Sequence, residues 1–132
     1  MNRTLAHYET ARRATATPQD NEILIFTNTN AELAKARGAD AKTRIAALFL
    51  NQRVWSAIVK DLSLETNQLP DDLKRNLTEL GFWAMRYSTR AMTEGLSLDP
   101  LIEVNRNMIE GLAAQRANAA PPASASLSLS AV

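Results

Sequence analysis

The chain has 132 residues, a formal net charge of +1, no cysteine and a single histidine. That is enough chain for one domain with one modest core. It lacks the basic excess of a duplex-binding module and the thiolates needed for disulfides or zinc clusters.

The first residues, Met1-Asn2-Arg3-Thr4-Leu5-Ala6-His7-Tyr8-Glu9, are too polar for a secretory signal, so no leader is expected. His7 cannot form a zinc site alone. A short mixed helix is predicted from about Leu5 to Ala16. Thr17-Pro18-Gln19-Asp20 then marks a helix start, with a hydroxyl cap, a proline at the first position and an acid at the positive helix end. That helix should reach Arg37, where Gly38 supplies a stop. Its apolar face carries Ile23, Phe26, Leu33 and Ala34, but Thr27 and Asn30 interrupt it, a weak face for a core helix.

The next helix, from Asp40 or Ala41 to Leu62, has the best periodicity in the chain. Ile45, Leu48, Trp55, Ile58, Val59 and Leu62 recur at helical spacing, and Asn51 and Gln52 fill the gap in the stripe. Leu64 to Leu69 reads as a loop. Pro70 opens a third helix with Asp71 and Asp72 in its first turn, and Gly95 ends it. Its buried face is predicted to hold Leu73, Leu77, Leu80, Ala84, Tyr87 and Ala91, with Phe82, Trp83 and Met85 around the rest. Asp99-Pro100 starts the last helix as N-cap and first-turn residue. Its stripe is Leu101, Val104, Asn105, Met108 and Leu112, and it frays after about Arg116. The remaining Ala/Ser/Pro-rich stretch, 117–132, carries no charge and is expected to be a flexible tail. The expectation is an all-α domain over 1–116, a small bundle of four to five helices. No apolar run approaches the roughly 18 residues of a membrane span, so a cytoplasmic protein is expected.

Asn51 and Asn105 lie on apolar stripes, where an unpartnered buried amide would cost about 1–3 kcal/mol. With Trp55, Trp83 and Arg106 they form an expected structural network of polar and aromatic side chains. Alternatively, Asn51, Arg53 and Trp55 mark a recognition spot, although a tryptophan at helical spacing more often packs in a core. Arg106 could fork onto a carboxylate such as Asp61, or stand exposed. Base stacking by Trp83, Arg86 and Tyr87 is disfavoured by the lack of a basic stripe. The carboxylate pairs Asp71-Asp72 and Glu103-Glu110 do not converge on a helix, and neither a nucleophilic set nor a glycine-rich phosphate loop accompanies them. No enzyme activity, cofactor or metal is expected; the predicted role is binding.

The order of these landmarks resembles the FlaF family of flagellar biosynthesis regulators of alphaproteobacteria. The resemblance rests on Tyr8, Thr17-Pro18 with Glu22, Asn51 to Trp55, Leu69-Pro70, Trp83, Pro100-Leu101-Ile102, Asn105-Arg106 and Gly111-Leu112. It implies a non-enzymatic helical protein needed for flagellin synthesis and secretion. Such a protein would act after transcription, beside an FlbT-type repressor of flagellin translation. A flagellin-binding chaperone is the most physical form of that role; an adaptor for the repressor or the mRNA machinery is the alternative. The amphipathic terminal segments of monomeric flagellin would then need an apolar seat. That seat is expected where the stripes are interrupted, at Leu5, Tyr8, Ile23, Phe26, Asn30 and Leu33.

Overall fold

The computed structural model describes residues 18–118, and these contain four helices and no strand. They are α1 (Pro18–Ala36), α2 (Ala41–Leu62), α3 (Asp71–Glu94) and α4 (Asp99–Asn118). The helix predicted between Leu5 and Ala16 lies outside the described residues, as does the predicted tail beyond residue 118.

Local chemistry sets the boundaries. Gly38 has a positive φ of 68° and reverses the chain after α1. Asp40 caps α2, its carboxylate accepting from the Thr43 amide at 2.9 Å. Pro70 takes the cap position of α3 and brings no side-chain acceptor, so Asp71 and Asp72 alone offset the positive helix end. Gly95 closes α3 in the left-handed conformation, φ 65°. The start of α4 differs from expectation. Asp99 is its first helical residue, and the Leu98 carbonyl accepts from the amides of Leu101 and Ile102. The Asp99 carboxylate is directed instead to Arg37 Nε, at 2.8 Å.

α2 runs antiparallel to α3, and α1 antiparallel to α4. Asn51 meets Ser88 and Arg44 meets Ala91 between α2 and α3. Asn30 meets Ile102 and Arg37 meets Asp99 between α1 and α4. The core lies between these pairs, with Phe26, Leu33, Leu48, Trp55, Ala84, Leu101 and Leu112 among its least exposed members.

Three faces differ from the periodicity reading. The α1 stripe is Glu22, Phe26, Thr29, Leu33 and Ala36, so Ala34 is exposed while Thr29 is buried. Thr29 tolerates burial because its hydroxyl donates to the Ile25 carbonyl one turn back, at 2.7 Å. On α2, Ile45 is exposed, because Ala47 and Leu48 turn the buried face away from it. On α3 the buried line is Leu77, Gly81, Ala84, Ser88 and Ala91, with Leu73, Leu80 and Tyr87 only half-buried. Small residues at i, i+3, i+7 and i+10 bring α3 close to α2, and the larger residues flank the seam.

Candidate functional site

A buried polar relay joins α2, α3 and α4. The Ser88 hydroxyl donates to the Ala84 carbonyl at 2.7 Å, and Asn51 Nδ2 donates to Ser88 Oγ at 3.1 Å. Asn105 Nδ2 donates to Asn51 Oδ1 at 2.8 Å. Trp55 Nε1 completes the relay by donating to Asn105 Oδ1 at 2.9 Å. All four side chains are fully buried, so each bond spares a group from desolvation without a partner. The relay fixes how three helices register and holds the indole ring of Trp55 against Phe26. Those two rings meet edge to face with centroids 5.6 Å apart.

Two members of the expected network are elsewhere. Trp83 is half-buried and stacks with Tyr87 at a tilt of 35°, centroids 5.2 Å apart. Arg106 is exposed and pairs with Glu103 one turn back, at 2.6 Å, rather than with Asp61. The Asp61 carboxylate instead accepts from Asn67 Nδ2 at 3.2 Å, and Asn67 Oδ1 in turn accepts from the Leu69 amide, which pins the α2–α3 loop.

Gly81 and Ser88 were not singled out by the sequence reading. A Cβ on Gly81 would lie 2.5 Å from Val59 Cγ2 and 3.2 Å from the Trp55 ring, so the missing side chain makes room for the indole. The readable signal was the spacing of small residues at 81, 84, 88 and 91, which lies beside a more conspicuous run of leucines.

Beside Phe26, an open groove of about 520 Å³ runs between α1 and α2. Ile25, Phe26, Leu50, Val54, Ala57 and Ile58 give it an apolar lining. Glu22, Arg53 and Asp61 add charge to it. Ile25 is 47% exposed, a large aliphatic side chain left facing solvent. Burial raises the Asp61 carboxyl above its ordinary value, against the lowering effect of its bond from Asn67.

The residues expected to receive a partner are therefore divided. Phe26 lines the groove but is itself buried, Leu33 is wholly in the core, and Ile23 is half-buried. Asn30 Nδ2 donates to the Ile102 carbonyl at 3.0 Å and ties α1 to α4. The interrupted α1 stripe is thus a packed face rather than a loose one, because α2 and α4 cover it. Leu5 and Tyr8 lie outside the described residues.

The family model for flagellar protein FlaF matches residues 4–112. The chain belongs to the FlaF family. That match spans all of α1, α2 and α3 and most of α4, including the relay and every residue that lines the groove. No curated protein and no solved structure matches the chain. For this FlaF-family chain, the relay and the groove are the two features with a definite chemistry. Among the described residues, no group of three or more histidines, cysteines or carboxylates is placed to hold a metal ion. No helix among them is long and apolar enough to cross a membrane.

Proposed function

We propose that this protein is a non-enzymatic, flagellin-binding chaperone, and that it works in the cytoplasm as a post-transcriptional regulator of flagellin synthesis and secretion. Membership of a flagellar family supports the setting. The observation that carries the binding role is the apolar groove between α1 and α2, with Ile25 left largely exposed. A groove between two packed helices seats the apolar face of a third. Flagellin's terminal segments are amphipathic once helical, and covering that face would prevent premature polymerisation. The cost of ordering such a segment lowers affinity for the area buried, which suits a cargo that must be released for export.

In this reading Ile25 contacts the cargo from α1, Val54 and Ala57 contact it from α2, and buried Phe26 and Ile58 support them from behind. Ile23, Asn30 and Leu33 support that surface by holding α1 in place. The relay of Asn51, Ser88, Asn105 and Trp55 keeps the groove floor rigid, with no reacting chemistry assigned to it.

The test is calorimetric titration of purified flagellin monomer into the protein at two salt concentrations. Micromolar or tighter binding with a negative heat-capacity change, retained in high salt, is the expected result. Absence of heat and of co-elution would overturn the chaperone reading and favour an adaptor that binds an FlbT-type repressor.

A further inference from the structure

The solvent side of α2 is a bare ridge between two recesses. Arg53 and Ala57 line the α1/α2 groove, and both also line a second recess of about 550 Å³ against Met85 of α3. Lys42, Phe49, Arg53 and Lys60 follow one another along the ridge at intervals of seven, four and seven residues, so they share one face of the helix. All four are exposed, Phe49 at 54%.

The charge on that ridge is of one sign. Asp61 is the only carboxylate among residues 41–62, and it lies about 100° round the helix from Lys60, in the groove wall. The ion pairs among the described residues are made by Lys35, Arg37, Arg75, Arg90 and Arg106. Lys42, Arg53 and Lys60 join none of them. Lined up beside an apolar groove, these three cations form a rail for negative charge.

The groove beside the rail sets the class of partner. Ile25, Leu50 and Val54 present aliphatic surface with no π-face for a nucleobase, and Glu22 and Asp61 would repel a phosphate backbone. A second copy docked symmetrically on the same ridge would set the cations against one another. A helix with one apolar stripe fills the groove, and the flank of that stripe nearest α2 passes over the rail. Carboxylates on that flank meet Arg53 and Lys60, which stand about two turns apart.

We propose that the α1/α2 groove takes an amphipathic helix whose flank along α2 is acidic, and that the rail of Lys42, Arg53 and Lys60 selects it. The proposal rests on the groove being a helix-binding surface, as read above, and not on flagellin being its occupant. Exposed ion pairs each add little affinity. The rail therefore acts on association rate and on the choice between partners, while apolar contact holds the complex in high salt.

The test uses the full-length protein and two synthetic amphipathic peptides with the same apolar stripe, one carrying glutamates and the other lysines along one flank. In stopped-flow mixing at low salt, the glutamate peptide should associate at least tenfold faster than the lysine peptide, and added salt should close the gap. Arg53→Glu/Lys60→Glu should abolish the preference. Arg75→Glu/Arg106→Glu changes the net charge equally at exposed positions outside both recesses, and should keep it. Flagellin monomer should follow the glutamate peptide and associate at least tenfold more slowly with the ridge variant alone.

Equal rates for the two peptides, or a preference that the ridge variant keeps, would overturn the rail alone. Failure of both peptides to bind would overturn the groove reading with it. A single-stranded RNA oligonucleotide that binds the protein, and loses that binding in Arg53→Glu/Lys60→Glu, would assign the ridge to nucleic acid and overturn the proposal equally. Selective binding of the glutamate peptide by a protein that ignores flagellin would support the rail and remove the flagellin reading alone.

Discussion

Asn105 joins two links of the buried relay, since it both donates to Asn51 and accepts from Trp55. Asn105→Ala strands an acceptor and an indole N–H in the core, at about 1–3 kcal/mol each, so a stability loss of about 2–6 kcal/mol is expected. Urea unfolding of the single variants and of Asn51→Ala/Asn105→Ala should show strongly non-additive losses; additive ones would disprove the relay. Gly81 is a different kind of dependence. Alanine is favoured over glycine in a helix by about 1 kcal/mol, yet the new Cβ would collide with Val59, whose branched side chain is stiff in a helix. Overpacking wins, and Gly81→Ala should lose about 1–2 kcal/mol net in the same assay.

At the scale of elements, α3 has no basic residue in its last turn, and Arg44 of α2 supplies the cation from outside. Its Nη2 donates to the carbonyls of Ala91 at 3.0 Å and Leu96 at 2.6 Å, which secures the C-terminal end of α3 to α2. Arg44→Met should cost about 1–3 kcal/mol and raise hydrogen exchange selectively in the last turn of α3. The Arg37–Asp99 pair is about half exposed on both sides and contributes far less. The α2 cap gives a pH signature. The bond from Thr43 holds the Asp40 carboxyl below its ordinary value, so folding favours the ionised form. Its contribution is present above the unfolded-state value and is lost as pH falls through the lower folded value. Asp40→Ala should therefore be less stable than wild type at neutral pH, and the difference should vanish in acid. Asp61 has the opposite sign: raised by burial, it disfavours folding once ionised, and Asp61→Asn should relieve that at neutral pH.

For the whole molecule, the relay connects to the groove through one ring contact: Trp55, bonded to Asn105, meets Phe26, which lines the groove. A rigid core beneath an open surface lets surface substitutions report on binding without disturbing the fold. Ile25→Asp and Ala57→Arg alter exposed groove positions, so each should reduce flagellin affinity at least tenfold with an unchanged unfolding midpoint. Phe82→Asp, exposed on α3 outside the groove, should leave affinity unchanged. Equal effects at all three positions would remove the groove from the binding surface.

Helix existence and ends were legible because their causes are local. Pro18, Gly38, Asp40, Pro70 and Gly95 act on backbone within a turn of themselves, and all mark real boundaries. Asn51 and Asn105 were conspicuous for the same reason, as amides on apolar stripes, and family membership was readable from the order of such landmarks. Which residues meet was decided by packing. The α3 seam turned toward Gly81 and Ser88 because close approach to Trp55 rewards small side chains over leucines. Arg106 found Glu103 on its own helix, and Asp61 took Asn67 from the following loop, since those partners were nearer than the one spacing had suggested. The α1 face looked too interrupted for a core, yet two neighbouring helices cover it, α4 accepts the Asn30 amide, and Thr27 points away from the buried stripe. Periodicity along one helix describes that helix alone; burial, partners and grooves come from the distances between helices, which only the tertiary structure sets.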